Sequence, residues 1–411
     1  MALAPEVNRL LTQVGPGTPG GTLLRRYWMA VAPEAELRAH TKKRVRILGE
    51  DLVLFRDGAG RYGLIPEACP HRHASLFYGF VENDGLRCPY HGWKFDADGT
   101  CIDQPFEPAD SKLRALACRT AYPVQSLAGI LFAYLGPAPA PLLPRWEYLV
   151  RDDGTRSIVV LPEHHCNWLQ SQENSHDPVH TYHLHGRMMQ EHGQAEVERA
   201  AIAYFLRPIE NYSFELCHES AWSGIRKVRA FGGDRPEVES GHPAIFPNIL
   251  VAPQGREITM HWRVPIDDEH TRIIWCEFTP AAGGESVSQR DEDIPVTYLP
   301  HPLRPDGEYD LTTFPNQDLM AWETQGPIVD RSTELLGASD KGILMFRKLL
   351  REQIERVQDG GEPAGVIRDG ALNRIIELSV SRGLSNMTQE LEPDDGVTAG
   401  MRSVFASANG D

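Results

Sequence analysis

The chain has 411 residues, which is long for one compact core, so two domains are expected. Its hydrophobic fraction of 41% and charged fraction of 24% are ordinary for a soluble globular protein, and no apolar run approaches the roughly 20 residues of a membrane span. The formal net charge of −16 argues against nucleic acid, anionic membranes and other polyanions as partners.

The first part of the chain is predicted to be a helical lead-in followed by a β-rich domain. The lead-in, residues 1–26, has apolar positions with helical spacing over 5–14 and lacks the basic and apolar blocks of a signal peptide. Short strand-like runs divided by turn residues fill 27–136. The proline-rich stretch 137–144 is the predicted linker between the domains.

The second domain is predicted to cover 145–386 and to mix helices with long strands. A strand over 157–161 precedes a helical segment that starts near Asn167. The elements predicted after it are several long alternating strands, such as 258–264 and 271–278, then a helix capped by Ser339 or Asp340, and a frayed tail (387–411).

Two loops of the first domain each carry one cysteine and one histidine: Cys69-Pro-His71 and Cys88-Pro-Tyr-His91. In a Rieske-type [2Fe–2S] centre, two cysteines hold one iron and two histidines hold the other. Zinc sites usually group like ligands, so a zinc-stabilised scaffold is the weaker alternative. Because the seven cysteines are odd in number and scattered, we expect reduced thiols in the cytoplasm, two of them bound to metal.

The sequence around these loops resembles the cluster-binding signature of Rieske non-haem iron ring-hydroxylating oxygenases. The similarity extends through the Tyr-His-Gly-Trp run from Tyr90 to Trp93. His73 lies beside the motif but off its ligand spacing, so we do not expect it to bind the cluster.

A second group of histidines is dense between His165 and His185, where the chain has five. Non-haem Fe(II) oxygenases hold iron with two histidines and one carboxylate and leave positions open for dioxygen. The pattern Asp-x₂-His-x₄-His is similar to the oxygenase family's segment when it is taken as Asp177, His180 and His185. A pairing that uses His176 or His183 is the alternative.

The third iron ligand has to come from another segment, since the family gives the aspartate at position 177 a different task. The stretch from Asn316 to Arg331 resembles the family's distal segment, in which the early aspartate binds iron. This resemblance implies Asp318 as the ligand, with Glu323 as the alternative. In the simplest alternative interpretation, Asp318 only caps a helix.

The resemblance covers about 27–350 and is greatest to the phthalate 4,5-dioxygenase and phenoxybenzoate dioxygenase branch. It implies an α+β protein with an all-β Rieske domain and a C-terminal helix-grip (START-like) domain, in which an antiparallel sheet wraps around a long helix. It also implies homotrimers or stacked trimers, served by a separate NADH-dependent reductase (flavin and [2Fe–2S]) or a ferredoxin. Two departures are Glu173, where some relatives have another polar residue, and a short segment between 185 and 316.

The function implied is that of an oxygenase component, in which Asp177 connects the two metal centres and an aromatic carboxylate or aryl ether undergoes ring dihydroxylation with dioxygen. O-demethylation of a methoxylated aromatic is the alternative, because the same branch includes O-demethylases. A Rieske electron carrier with a structural C-terminal part is a third possibility. A carboxylate substrate would need a local cation, and the candidates are Arg207, Arg226, Arg229 and Arg263.

Overall fold

The computed structural model describes residues 3–108, 111–192, 199–219, 221–233, 237–254 and 257–378. The expected tail at 387–411 lies outside these ranges, as does the end of the predicted second domain beyond 378.

Most helices in these ranges are short, and only the last one exceeds ten residues. The α-helices are α1 (Pro5–Thr12), α2 (Pro19–Leu24), α3 (Glu34–Ala39), α4 (Leu113–Leu116), α5 (Glu147–Val150), α6 (Trp168–Asn174), α7 (Met188–His192), α8 (Arg199–Phe205), α9 (Phe314–Glu323) and α10 (Lys341–Gln358). A π-helix covers Thr181–Arg187. Among the helices so described, none is long and apolar enough to cross a membrane.

The strands before the linker have two to seven residues, and those after it have three to ten. The earlier ones are β1 (Trp28–Pro33), β2 (Lys42–Ile47), β3 (Glu50–Arg56), β4 (Tyr62–Pro66), β5 (Phe80–Glu82), β6 (Gly85–Arg87), β7 (Lys94–Phe95), β8 (Cys101–Asp103), β9 (Val124–Leu127) and β10 (Ile130–Tyr134). The later ones are β11 (Gly154–Val160), β12 (Ile209–His218), β13 (Ser223–Phe231), β14 (Glu237–Ile245), β15 (Ile249–Gln254), β16 (Glu257–Pro265), β17 (Thr271–Pro280) and β18 (Val296–Tyr298).

The first domain consists of three small antiparallel sheets. Their strand orders are β1-β10-β9, β2-β3-β4 and β5-β6-β7-β8. The tight β2–β3 turn passes through Leu48 and Gly49, both with positive φ (48° and 76°), a conformation that glycine adopts at little cost. A separate apolar cluster that includes Phe55, Leu86 and Phe95 fills the space beneath the cysteine-histidine loops. The loops therefore lie on a rigid base.

The second domain is built on one eight-stranded sheet, in the order β12-β13-β14-β15-β16-β17-β11-β18. All neighbours are antiparallel except β11 and β18, which pair in parallel, so the expected antiparallel sheet has one mixed edge. Helix α10 buries an apolar stripe that includes Phe346, Leu350 and Ile354, as its helical spacing predicts. The result is the helix-grip arrangement of a sheet around a long helix.

The lead-in and the linker are in contact with the second domain. The backbone N–H of Leu3 donates to the carbonyl of Arg331 at 2.9 Å, and the N–H of Leu142 donates to the carbonyl of Ile367 at 2.8 Å. One apolar cluster includes both Phe132 of β10 and Trp262 of β16. The two predicted domains therefore share a continuous core in this structure.

A buried ion-pair network fixes α6 to two later segments. The carboxylate of Glu173 accepts from Arg331 (Nη2, 2.9 Å) and from Arg347 of α10 (Nε, 2.6 Å). Burial by itself raises the pKa of the Glu173 carboxyl, but the two guanidinium groups outweigh it and lower that pKa. Arg331 is fully buried, and Arg347 also pairs with Glu334 at 2.7 Å. The unusual Glu173 of the sequence is thus the common partner of two arginines.

We predict that Glu173→Ala lowers the free energy of unfolding by about 3–5 kcal/mol, because it leaves two buried guanidinium groups without their shared carboxylate. Urea unfolding of the purified protein measures the change. The matched control is Glu355→Ala, which breaks an exposed pair with Arg351 on α10 and should cost about 1 kcal/mol or less. Equal effects of the two substitutions would contradict a structural role for the Glu173 network.

Candidate functional site

The two cysteine-histidine loops of the first domain converge at one point. The loop after β4 carries Cys69 and His71, and the loop between β6 and β7 carries Cys88 and His91. The His71 and His91 rings lie 4.4 Å apart between centroids, and the His71 ring stacks on Trp93 at 4.5 Å. Both cysteines are buried, whereas the histidines reach the surface. Two sulfur and two nitrogen donors are therefore brought together.

The donor set suits a [2Fe–2S] cluster of the Rieske type. Burial, together with the nearby Cys88 thiol, raises the pKa of the Cys69 thiol to about 12, so a protonated thiol is the stable form of the protein part alone. The backbone N–H groups of His71 and Arg72 point at the Cys69 sulfur and favour its thiolate. Nδ1 of His71 is buried and has no hydrogen-bond partner among the residues described, as expected of a nitrogen that faces a metal.

The second pair of histidines is positioned by a local change of helix type. Helix α6 begins after the N-cap Asn167 and ends at Asn174, and the chain then forms the π-helix Thr181–Arg187. In an α-helix, side chains five residues apart diverge by about 140° around the axis, whereas i→i+5 hydrogen bonding returns the chain to the same side. The rings of His180 and His185 accordingly lie 5.3 Å apart.

A carboxylate from α9 completes this group. One ligand atom each of His180, His185 and Asp318 lies within 4.8 Å of the other two. Nε2 of His185 is 3.6 Å from Oδ1 of Asp318. Two imidazoles and one carboxylate on one side of a point are the ligand set of a non-haem iron centre. The geometry is thus compatible with a bound metal, and the assignment of these residues as ligands stays a prediction.

The alternative candidates lie elsewhere. Glu323 faces away from the triad formed by His180, His185 and Asp318. Its carboxylate accepts from Tyr309 (2.7 Å) and from Nε2 of His301 (3.0 Å). His176 is buried against the Phe346 ring, 4.4 Å away, and His183 is exposed. His73 is also exposed, outside the cysteine-histidine pocket.

Two residues that orient the triad were not predicted from the sequence. Nδ1 of His185 donates to Oε1 of Gln317 at 3.0 Å, which leaves Nε2 of the ring directed at Asp318. Nδ2 of Asn174 is 3.5 Å from Oδ1 of Asp318. The signal available in the sequence was that Gln317 directly precedes the predicted ligand on the same helix.

Asp177 lies at the start of the segment that carries both histidines. Its Oδ1 accepts from the backbone N–H groups of Val179 (2.8 Å) and His180 (3.2 Å), and its Oδ2 is 3.6 Å from Nδ1 of His180. Burial raises the pKa of Asp177, but contacts with His180, Val179 and Lys227 outweigh it and lower that pKa to about 2. The ammonium of Lys227 donates to the backbone carbonyl of Asp177 at 3.1 Å. The side chain of Asp177 is 24% exposed, so part of it faces outward.

The four arginines suggested for a carboxylate substrate differ in their contacts. Arg207 pairs with Glu237 at 2.9 Å. Arg226 lies 3.5 Å from Glu215, which is itself 54% exposed. The other two, Arg229 of β13 and Arg263 of β16, are buried.

Comparison with known proteins gives two matches to domain families. Residues 27–123 match the Rieske [2Fe-2S] domain, and residues 304–379 match the family described as LigXa C-terminal domain like. The cysteine-histidine loops lie in the first of these ranges, and Asp318 lies in the second.

Full-length relatives are found among oxygenase subunits. The chain is 40% identical, over 92% of its length and 86% of the relative, to the 5,5'-dehydrodivanillate O-demethylase oxygenase subunit of Sphingobium sp. (strain NBRC 103272 / SYK-6). It is 33% identical to the phthalate 4,5-dioxygenase oxygenase subunit of Pseudomonas putida, over 92% of each chain. The solved complex of the oxygenase and ferredoxin of carbazole 1,9a-dioxygenase shares the fold, with a TM-score of 0.60 at 20% identity over 91% of this chain and 98% of the other.

We predict that Gln317→Leu weakens metal binding at the triad about 10–100-fold, because the His185 ring loses the acceptor that fixes its orientation. Titration with a chelator, monitored by metal analysis, measures the affinity. Gln325→Leu is the control, since Gln325 is exposed just after the end of the same helix and its side chain donates to the backbone carbonyl of Ala321 at 2.9 Å. An unchanged affinity in Gln317→Leu would show that this hydrogen bond does not support the site.

Proposed function

Because the chain belongs to the Rieske non-haem iron oxygenases as an oxygenase subunit, we propose that it hydroxylates an aromatic carboxylate or an aryl ether with dioxygen and electrons from a partner protein. Oxygenase subunits of this family carry a Rieske [2Fe–2S] cluster and a mononuclear iron. The cluster stores and delivers electrons, and the mononuclear iron activates dioxygen.

The convergence of His180, His185 and Asp318 is the observation that carries the proposal. A pure electron carrier needs only the cysteine-histidine loops, and nothing in that role requires two imidazoles and a carboxylate in a second domain. We assign Cys69, His71, Cys88 and His91 to the cluster, and His180, His185 and Asp318 to the iron. The protein's own part is to hold these ligands, to exclude water and to orient the substrate ring.

O-demethylation is a second candidate with support of its own. The relative with 40% identity is named as an O-demethylase, and the match covers 92% of this chain. Relatives at 36% and 33% identity are a phenoxybenzoate dioxygenase subunit of Ectopseudomonas oleovorans and the phthalate 4,5-dioxygenase subunit. The two outcomes share one site and differ in the product. Ring dihydroxylation gives a cis-dihydrodiol, and hydroxylation of a methoxy group gives a hemiacetal that loses formaldehyde.

An electron donor is required in either case. The solved oxygenase with the same fold was captured with a ferredoxin. We propose that a ferredoxin, or the [2Fe–2S] domain of an NADH-dependent flavin reductase, serves this chain. The partly exposed His71 is the point at which electrons from this donor would enter, since His91 is assigned to the contact between subunits.

We predict that the holoenzyme, supplied with NADH and a generic ferredoxin reductase system, consumes dioxygen only when a suitable aromatic is present. A panel of benzoates, phthalates, methoxybenzoates and phenoxybenzoates is screened for oxygen uptake, and mass spectrometry distinguishes dihydrodiols from demethylated products and formaldehyde. Asp318→Ala should lose the mononuclear iron and product formation while keeping the visible spectrum of the cluster. Product formation that survives Asp318→Ala but not Glu323→Ala would show that the third ligand is wrong.

We also propose that the enzyme is a trimer in which Asp177 connects the cluster of one subunit with the iron of the next. A carboxylate accepts hydrogen bonds only, and the two imidazoles to be joined each present an N–H away from their metal. Oδ2 of Asp177 already lies 3.6 Å from Nδ1 of His180, and the exposed part of the carboxylate can accept from His91 of the partner subunit.

For Asp177→Asn we predict near-normal iron content, a reducible cluster and an unchanged oligomer, but very slow electron transfer to the mononuclear iron. The amide would put a donor where one imidazole N–H needs an acceptor. Single-turnover mixing of the fully reduced variant with substrate and dioxygen, followed by the cluster absorbance, measures the transfer. Wild-type rates of cluster oxidation would remove Asp177 from the route.

A further inference from the structure

We propose that Arg263 is the residue that recognises the substrate, by binding a carboxylate group of an aromatic acid held beside the triad. Arg263 lies on β16, and its side chain is almost completely buried, with 2% exposure. Its Nε and Nη1 atoms are buried and have no hydrogen-bond partner in the described part of the chain. This inference rests on the proposed function and narrows its substrate class to aromatic acids.

The other cations near the site are already engaged. Arg229 donates to Oε2 of Glu239 (2.8 Å) and to Oγ1 of Thr181 (3.1 Å). Lys227 donates to the carbonyl of Asp177. Arg263 differs from these two residues. Its Nε and Nη1 donors are buried and have no acceptor within the ranges described. Buried guanidinium donors without an acceptor destabilise the folded protein. A bound anion would accept from them and offset this destabilisation.

The position of Arg263 places this cation close to the triad. Its guanidinium lies 5.9 Å from the centre of the Trp322 ring, and Trp322 is four residues after Asp318 on α9. Burial lowers the pKa of Arg263 to about 10, opposed by the charge of Asp318, so the group is still a cation at neutral pH. The indole N–H of Trp322 is likewise buried and without a partner among the described residues. Three unused donor atoms, two on Arg263 and one on Trp322, thus lie between α9 and the sheet.

The chemistry of these donors favours a carboxylate. A guanidinium presents parallel N–H groups that match the two oxygens of a carboxylate, and such charge-assisted pairs are stronger than neutral hydrogen bonds. A ferrous ion would carry two positive charges and Asp318 carries one negative charge, so a metal-loaded site with Arg263 has a net positive charge. An anionic aromatic would be favoured over a neutral one of the same shape. Discrimination of this type is large when the rejected analogue leaves buried donors unpaired.

Calorimetric titration of the anaerobic holoenzyme with benzoate, and with its neutral analogue benzamide, tests the recognition without turnover. We expect wild type to bind benzoate at least tenfold more tightly than benzamide. Arg263→Met should abolish this preference and weaken benzoate binding at least tenfold, whereas Arg263→Lys should restore part of it. Arg226→Met is the matched control, because Arg226 lies on β13 of the same sheet, separated from β16 by β14 and β15, and pairs with an exposed glutamate; it should behave as wild type. Iron content and the cluster spectrum of each variant verify that both metal sites are loaded.

Benzoate that binds the iron directly would keep its affinity in Arg263→Met, and this result would overturn the proposal. An equal loss of benzoate and benzamide binding would also overturn it, since it would indicate a role in positioning α9 alone. The oxygen-uptake panel tests the proposed function separately from the anion site at Arg263. If no aromatic supports oxygen uptake in wild type, the proposed function fails, while an Arg263-dependent preference for benzoate would still establish the anion site.

Discussion

The pairing of Glu173 with Arg331 and Arg347 is the interaction on which the catalytic domain depends. An ionised carboxylate at this depth is tolerated only when both guanidinium groups are in place. The two arginines are 158 and 174 residues further along the chain. Arg331 also reaches Asn8 of α1, at 3.1 Å, so the lead-in closes over the same network. Helix α6, the distal segment and α10 must therefore come together before any of them is stable in this arrangement.

The position of α6 matters because the next segment of the chain carries the two histidines of the triad. The chain leaves α6 at Asn174, passes Asp177 and enters the π-helix that brings His180 and His185 to one side. Asp318, the third member of the triad, is on α9. The chain reaches Arg331 shortly after α9 ends. Glu173 and Arg331 thus join the two segments that carry the triad, and among the residues described no ion pair with arginine involves His180, His185 or Asp318. This separation is useful, because an arginine beside a ligand carboxylate would compete with the metal for it.

The sequence predicted those elements that are determined by residues close to one another along the chain. The cysteine-histidine loops, the helix start near Asn167 and the amphipathic α10 are each encoded by a pattern within a few residues, and the structure contains them. The antiparallel expectation for the sheet was right except at β18, whose parallel pairing with β11 depends on a long connection that has no periodic pattern. The π-helix was not predicted either, since a residue pattern does not distinguish i→i+5 from i→i+4 hydrogen bonding.

The parts that the sequence could not predict are contacts between distant segments. Gln317 was next to a predicted ligand, yet its role depends on a ring 132 residues away. The four candidate arginines were indistinguishable in the sequence, and only their partners separate them. Glu173 is unusual in the sequence, but its role depends on two arginines that no local pattern connects with it.

The sheet of this chain, whose net charge is −16, nevertheless carries buried basic side chains. Fields from surface carboxylates are screened over about 8 Å in physiological salt, whereas buried charges act at short range and in low dielectric. Alternate residues of a strand share a face, so Lys227 and Arg229 of β13 project from the same side, one to Asp177 and the other to Thr181 of the π-helix. Arg263 enters from β16 on the side of α9. The sheet therefore places basic side chains at fixed points around α9 and the π-helix, which flexible surface lysines could not do.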